Sequence, residues 1–186
     1  MEVKLAKTAG FCFGVKRAVD TVYKEAEKNS ESIYTFGPII HNEQVVADLE
    51  KNGVFVVNTI EELKALKPGT TVIVRSHGVG KSTYDIMEAC GLSIVDATCP
   101  IAKKLHRNTK RERKAGKRII IIGNDKHPEV EGIKGWVCGN ATVIETFDEA
   151  HGFTAKEDEQ LCIVSQTTFN YNKFQDLVEI ISEKGY

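Results

Sequence analysis

An internal repeat constrains the fold of this chain more than any other sequence feature. Cys12 and Cys99, 87 residues apart, are each followed four and five residues later by two basic residues. Segments that recur in the same order at nearly one offset indicate copies of one structural unit. The further matches are residues 37–43 with 123–129, residues 56–63 with 143–150, and residues 71–77 with 161–167.

Each copy alternates short β-branched runs with amphipathic stretches of helical spacing. This alternation is typical of an α/β fold with mostly parallel sheets. We therefore predict two tandem α/β units, residues 1–98 and 99–186. The predicted strands are residues 3–5, 33–36, 54–57, 71–74, 93–95, 118–122, 142–144 and 161–164, and the predicted helices are residues 15–28, 42–51, 60–66, 82–90, 100–115 and 172–183.

The repeat also predicts a third unit that this sequence does not contain. In the first copy, a helix that ends near Cys90 is followed by a strand and then by Cys99. In the second copy, the corresponding helix ends close to Tyr186. A continued pattern would bring another strand and another cysteine about eight residues later. We therefore expect the chain to be truncated.

The charge balance and the cysteine content narrow the class of protein. The chain has 25 Lys and Arg residues against 26 Asp and Glu residues, a net charge of −1, which argues against a protein that coats nucleic acid or a membrane. The aliphatic run 119–122 is too short to span a bilayer. Nothing resembles a signal peptide, so the expected location is the cytoplasm. There, five cysteines indicate metal binding, catalysis or packing rather than disulfides.

Cys12 and Cys99 have the surroundings of metal-binding thiolates. Each is expected between a strand and a helix, where the helix dipole and the adjacent cations favour the thiolate form that iron–sulfur clusters require. One such cysteine would more simply be a packing residue, but two at matching repeat positions favour ligation. Cys90 and Cys162 are expected to pack in the interior, and the role of Cys138 stays open.

Three histidines, His41, His77 and His127, follow the ends of predicted strands, where open α/β sheets bind their ligands. Thr167 occupies the fourth equivalent place. We predict that these residues form one convergent polar site, in which the histidines contact an anionic oxygen or shuttle protons near neutral pH. The two remaining histidines, His106 and His151, have no repeat partner and are expected on the surface.

Glu129 lies two residues after His127, at the start of an expected helix. Its carboxylate either stabilises that helix N-terminus or acts as a proton donor in a partly desolvated pocket. Glu43 has the same place in the first copy and is an internal control for the role of Glu129, because one of the two glutamates can be purely structural.

Residues 103–118 form a basic segment, with nine Lys or Arg residues and a single acid, Glu112. The simplest interpretation is a solvated helix face. Two alternatives stay open, and both describe a non-catalytic fragment that acts as a binding module. One is docking of an acidic partner such as an electron-carrier protein, and the other is binding of nucleic acid, for which interleaved aromatics are lacking.

Six segments together resemble the 4-hydroxy-3-methylbut-2-enyl diphosphate reductases, the IspH/LytB family. The resemblance covers essentially the whole chain and follows the family order. It implies a trefoil of three α/β units around an iron–sulfur cluster. It also implies an oxidoreductase that converts hydroxymethylbutenyl diphosphate to isopentenyl and dimethylallyl diphosphate in the methylerythritol phosphate route of isoprenoid biosynthesis. The segments are residues 9–18, 37–42, 75–79, 96–100, 127–132 and 165–168.

The resemblance assigns roles to individual residues. It implies that Cys12 and Cys99 are two of three ligands of a 4Fe–4S cluster and that Glu129 delivers protons to the substrate. The third cysteine ligand is expected beyond residue 186, so neither a stable cluster nor activity is expected of this chain alone. The implied partners are a diphosphate substrate and an electron donor such as ferredoxin or flavodoxin, with no nucleic acid and no membrane. The residues implied to bind substrate are His41, His77, His127 and Thr167.

Overall fold

The computed structural model describes residues 2–28, 32–138 and 141–185, in which helices and short strands alternate. No helix within these ranges has the length and apolar character needed to cross a membrane. In chain order the elements are α1 Phe13–Lys28, β1 Ile33–Phe36, α2 Glu43–Lys51, β2 Val54–Val57, α3 Ile60–Lys64, β3 Thr71–Val74, α4 Lys81–Ala89, β4 Ser93–Asp96, α5 Pro100–Lys114, β5 Arg118–Ile122, α6 Pro128–Trp136, β6 Ala141–Ile144, α7 Phe147–Gly152, β7 Leu161–Ser165 and α8 Tyr171–Ser182.

The chain divides into two compact units. Unit 1 consists of the described residues of 1–76 and 86–101, and unit 2 of those of 77–85 and 102–186. Unit 1 holds a parallel sheet of order β2-β1-β3-β4, and unit 2 holds a parallel sheet of order β6-β5-β7. The predicted fold class, repeated α/β units with parallel sheets, is confirmed. The boundary between residues 98 and 99 remains a proposal.

The core of unit 2 is built on β5, whose residues 119–122 are four fully buried isoleucines. Successive side chains of a strand point to opposite faces of the sheet. Ile120 and Ile122 accordingly pack in one cluster with residues of α7 and α8, while Ile119 and Ile121 pack in another with residues of α6. A run of apolar residues is therefore what a central parallel strand, covered on both faces, requires.

The core of unit 1 depends on the apolar stripe of α1. Ala18 and Val22, one helical turn apart, are fully buried and belong to the same cluster as Ile33 of β1 and Ile73 of β3. The helix thus covers one face of its sheet, as its amphipathic pattern predicts.

The repeat extends to the caps of two short helices. The Thr59 hydroxyl accepts from Glu62 N (3.1 Å), and Thr146, at the matching repeat position, accepts from Glu149 N (3.2 Å). Both glutamates accept in return from the backbone of their N-cap residue. These reciprocal capping boxes satisfy N–H groups that have no partner within the helix. The same local sequence therefore starts a helix after the second strand of each unit.

The predicted strand at residues 3–5 is wrong. Residues 2–6 have no regular secondary structure, and Val3 and Leu5 are 83% and 87% exposed. β-branched residues favour extended backbone, but a strand also needs a paired neighbour that local sequence does not provide.

Helix α7 was not predicted because its six residues are too few to show helical periodicity. Only the start of α6 was predicted, since Gly132 and Gly135 interrupt its apolar pattern.

Candidate functional site

Backbone hydrogen bonds join the segments that follow three strands of unit 1. Ser76 N, just after β3, donates to Ile39 O, after β1 (3.3 Å). Cys99 N, after β4, donates to Ser76 O (2.8 Å). The predicted site residues of this unit lie on or beside these segments: His41 is two residues beyond Ile39, and it is exposed. The carboxyl edge of the sheet therefore carries the candidate residues, as expected for a parallel sheet.

Cys12 and Cys99 both lie at the N-terminal end of α1. The Cys12 carbonyl accepts from Lys16 N (2.9 Å), so this exposed cysteine precedes the first turn of the helix. The half-buried Cys99 thiol packs against that turn, because a Cβ built on Gly14 would lie 2.5 Å from Cys99 Sγ. Gly14 therefore leaves open the space that the thiol occupies.

The surroundings of these two thiols suit a metal or an iron–sulfur cluster. Cys99 directly precedes α5, so each of the two cysteines lies at a helix N-terminus, where the dipole favours negative charge. Arg17 is one of the two basic residues that follow Cys12. Its Nη1 donates to Thr98 O (3.1 Å), beside Cys99. Thiolates are the ligands that iron–sulfur clusters use. Cys12 and Cys99 fit as two such ligands.

In unit 2, the residue Glu129 is 2% exposed, and Thr167 holds its carboxylate. Thr167 N donates to Oε1 (3.1 Å), and the Thr167 hydroxyl donates to Oε2 (2.9 Å). Thr167 itself is exposed. Its hydroxyl therefore lies between the buried carboxylate and the surface of the unit.

His127 is the N-cap residue of α6. His127 Nδ1 accepts from Glu129 N (3.2 Å). A neutral imidazole that accepts at Nδ1 carries its proton on Nε2, which makes Nε2 a donor. The Glu129 side chain is thereby released from capping and turns to Thr167.

The rings of His77 and His127 pack edge to face, with 5.5 Å between their centroids and 89° between their planes. Unit 2 therefore brings together His77, His127, Glu129 and Thr167, four of the predicted site residues. Glu43, the repeat counterpart of Glu129, is exposed at the start of α2, where Asn42 caps the helix by accepting from Val45 N (3.0 Å). The two glutamates therefore have different structural roles despite their equivalent positions.

The family model described as LytB protein matches residues 3–186 of this chain. The chain belongs to the LytB family. Curated relatives carry the name 4-hydroxy-3-methylbut-2-enyl diphosphate reductase. Those of Caldanaerobacter subterraneus subsp. tengcongensis and Clostridioides difficile are 42% and 41% identical over 186 and 184 residues, which is 100% and 99% of this chain. The match covers 64% and 65% of these relatives, so this LytB-family chain spans less than two thirds of their length.

Two solved reductases have the same fold as this LytB-family chain. The enzyme from Plasmodium falciparum aligns with a TM-score of 0.90 at 28% identity, over 96% of this chain and 55% of its own. A second solved (E)-4-hydroxy-3-methyl-but-2-enyl diphosphate reductase aligns with a TM-score of 0.80 at 37% identity, over 96% of this chain and 62% of its own.

The prediction that His106 lies on the surface is wrong. His106 is 5% exposed and stacks on Trp136, with 5.9 Å between the ring centroids. Its neighbours on the buried face of α5 are Ala102 and Thr109, so the helical spacing of these three residues was the signal. His151 is exposed, as predicted.

Gln166 is a buried polar residue that the sequence reasoning did not single out. Its Oε1 accepts from Asn124 N (3.1 Å), and its Nε2 donates to the Thr168 hydroxyl (2.7 Å). The first bond joins Gln166 to the segment that follows β5, and the second joins it to Thr168, on the other side of Thr167. The sequence did offer a signal for Gln166, because it lies directly before Thr167 in segment 165–168, one of the six that resemble the family.

The other cysteines have separate surroundings. Cys162 is half-buried in β7 and packs on the unit 2 core, where burial raises the pKa of its thiol. Cys90 is half-buried directly after α4. Cys138 is exposed and has a left-handed backbone conformation, with φ of 57°.

Proposed function

We propose that this chain contributes the first two α/β units of a 4-hydroxy-3-methylbut-2-enyl diphosphate reductase. The observation that carries the proposal is the carboxyl group of the buried residue Glu129, in the first turn of α6, which Thr167 holds and whose helix His127 caps. A buried carboxyl group, when protonated, can deliver a proton to an anionic substrate that neighbouring histidine donors bind. The names of the relatives supply the substrate class.

In this proposal the histidines bind the diphosphate. Because His127 Nδ1 accepts from Glu129 N, the neutral ring carries its proton on Nε2 and can donate from there. The ring of His77 lies against it. Hydrogen bonds to multiply charged phosphate oxygens are stronger than neutral ones. His41 is proposed as a further ligand of the same substrate.

Glu129 is proposed to supply the proton that the departing substrate hydroxyl needs. Because Glu129 is buried and Thr167 is exposed, the Thr167 hydroxyl, 2.9 Å from Glu129 Oε2, is the group through which the carboxyl can reach a ligand. In its protonated form, Glu129 would donate from Oε2 to Thr167 Oγ1, while the Thr167 hydroxyl passes its own proton to the departing hydroxyl. That group would leave as water, and Glu129 would be left as the carboxylate that accepts from Thr167. The pair thus both orients the hydroxyl and protonates it.

Cys12 and Cys99 are proposed to hold a 4Fe–4S cluster together with a cysteine outside these 186 residues. When bound, such a cluster would supply electrons and a Lewis-acidic iron. Since two thiolates are one short of the proposed set, the 186-residue chain alone should neither retain a stable cluster nor turn over. An electron donor of the ferredoxin or flavodoxin type and a cytoplasmic location complete the proposal.

The decisive experiment joins residues 1–186 to the final third of the Clostridioides difficile reductase. After anaerobic cluster reconstitution, we expect reduction of hydroxymethylbutenyl diphosphate by a chemical reductant. Glu129→Gln should lower turnover by roughly 100-fold or more, the usual contribution of a general acid. Glu43→Gln is the matched control and should retain activity. Full turnover by Glu129→Gln would refute the proton-donor role. If the 186-residue chain alone held a stable cluster and was active, the proposal that the cluster needs a third cysteine from outside these residues would be wrong.

A second candidate is a binding module on α5. Four basic residues share its exposed face at helical spacing, Lys104, Arg107, Arg111 and Lys114. Such a stripe favours an acidic partner, and its binding would weaken with salt. Reversing the charge of Lys104, Arg107 and Lys114 should abolish binding to an acidic electron carrier or to nucleic acid, whichever is the partner. Unchanged binding would remove this candidate.

A further inference from the structure

The segment of residues 77–80, which we call the His77 loop, lies along α6 within unit 2. Its first residue packs against the N-cap residue of the helix, His127. Further along, a Cβ on Gly132 would lie 3.7 Å from Gly78 O, and a Cβ on Gly80 would lie 2.9 Å from Gly135 Cα. The loop therefore follows the helix from its first residue to its last turn.

Two glycines of α6 make this close approach possible. Gly132 and Gly135 are three residues apart and therefore share one face of the helix. A Cβ built on Gly135 would collide with the backbone of Gly80. Without side chains at these positions, the loop backbone can rest directly on the helix.

Trp136 fastens the loop to this glycine face. Its Nε1 donates to Val79 O (2.9 Å), and Val79 is 4% exposed. A buried carbonyl without a partner is costly, so this bond has a structural purpose. Val79 is two residues beyond His77, so the bond fixes the chain close to the imidazole.

Trp136 is itself held in place from α5. His106 stacks on the indole with an angle of 24° between the planes, and Lys110 Nζ lies 5.1 Å from the ring centroid. These two side chains are one helical turn apart and cover the ring together. Tyr84, whose ring centroid is 6.0 Å from that of Trp136, adds a further contact. The indole therefore has a defined orientation toward Val79.

We propose that Trp136 is a positioning residue. Through Val79 O it fixes the His77 loop on the glycine face of α6 and so sets the His77 imidazole beside His127. The inference rests on the proposed function in taking both histidines as diphosphate ligands. Two ligands held in place before binding lose less conformational freedom when the anion arrives.

The first test uses the wild-type 186-residue chain. Trp136 is the single tryptophan of the sequence, so its indole N–H gives one assigned NMR signal. We expect this proton to exchange with water slowly, because it is bonded to a buried carbonyl. Exchange at the rate of a free indole would overturn the proposal without any variant.

The second test compares Trp136→Phe and Gly135→Ala with a matched control, Gly152→Ala. A Cβ on Gly152 would meet no other atom within 4 Å. The readout is the nuclear Overhauser contact between the rings of His77 and His127, with the methyl spectrum of residues 119–122 as the check of folding. We expect this contact between the rings in the wild type and in Gly152→Ala. We expect Trp136→Phe and Gly135→Ala to lose it. Its retention in a folded Trp136→Phe protein would overturn the proposal. Should a variant unfold, the wild-type exchange rate decides.

Inorganic diphosphate separates this inference from the proposed function. In the wild-type chain, its addition should shift the imidazole signals of His77 and His127. Trp136→Phe should weaken this binding by roughly tenfold, the equivalent of one hydrogen bond. Absence of any shift in the wild type would count against the proposed function, whereas the ring contact would still decide the role of Trp136. Equal affinity in wild type and Trp136→Phe would count against the positioning role.

Discussion

Thr167 holds the carboxylate of Glu129 with both of its donors, the backbone N–H at 3.1 Å from Oε1 and the hydroxyl at 2.9 Å from Oε2. The two residues are 38 positions apart, one in the first turn of α6 and the other just after β7. The residue Glu129 is 2% exposed, and its carboxylate requires such partners because removing it from water is costly. This pair therefore serves both the stability of unit 2 and the proposed proton transfer.

Replacing Thr167 with Val tests the stability part of this relationship. The substitution preserves the shape of the side chain and removes the hydroxyl donor. We expect the free energy of unfolding to fall by about 1.5–3 kcal/mol, the range for a hydrogen bond to a charged group. Urea unfolding measures it, with the exposed Thr154→Val as control. Equal losses in both variants would contradict the prediction.

Gly14→Ala tests whether the space beside Cys99 is needed. The added methyl group would lie 2.5 Å from Cys99 Sγ, so either the thiol or α1 has to move. We expect a loss of about 1–3 kcal/mol in the free energy of unfolding, as for other overpacked positions. Gly152→Ala should be neutral or slightly stabilising, because no atom lies within 4 Å of its new Cβ. Indistinguishable stabilities would show that Cys99 does not occupy this space.

The capping box of α7 predicts a pH dependence. Hydrogen bonds from Glu145 N and Thr146 N hold the pKa of the Glu149 carboxyl below its usual value. Because the folded-state pKa is the lower one, this contribution is complete above the unfolded value of about 4.3 and is lost as the pH falls through the folded pKa. Glu149→Gln should therefore destabilise the protein at neutral pH and have little effect in strong acid.

The capping threonines supply the companion measurement. Thr146→Ala and its repeat counterpart Thr59→Ala should each lower the free energy of unfolding by about 1 kcal/mol at neutral pH. Urea unfolding of both variants, repeated across the acid range with Glu149→Gln, tests the cap and the titration together. A difference between wild type and Glu149→Gln that grows on acidification would have the wrong sign.

The thiols should differ in their rates of alkylation. Cys12 and Cys138 are exposed, whereas burial raises the pKa of Cys162. Because the thiolate is the reacting form, iodoacetamide should modify Cys12 and Cys138 first and Cys162 slowly. Mass spectrometry of peptides after limited labelling measures the order. In urea the three rates should converge, and a native Cys162 as reactive as Cys12 would contradict the prediction.

Local pattern was enough to predict most of the fold. The run of isoleucines at residues 119–122 and the stripe of α1 were readable because strand and helix periodicity relates residues two to four positions apart. The failures have the same cause in reverse. The strand at residues 3–5 needed a pairing partner, and α7 was too short for its period to show.

The sequence selected the candidate residues but did not predict their arrangement. Repeat positions selected His77, His127, Glu129 and Thr167, yet they assigned the same place to Glu43 and Glu129, and only the latter is buried. Both have a helix N-terminus nearby, so their sequence surroundings do not separate them. What separates them is Thr167, a contact made across 38 residues.

The sequence by itself determined the repeated α/β units and the parallel strands, and it selected the candidate site residues, because each follows from spacing along the chain. The tertiary structure alone decided that His127 caps α6, that Glu129 turns to Thr167, and that the buried His106 stacks on Trp136. These outcomes depend on which distant segments pack together. Packing is settled by shape, burial and hydrogen-bond satisfaction over the whole unit, and none of these is encoded within a few neighbouring residues.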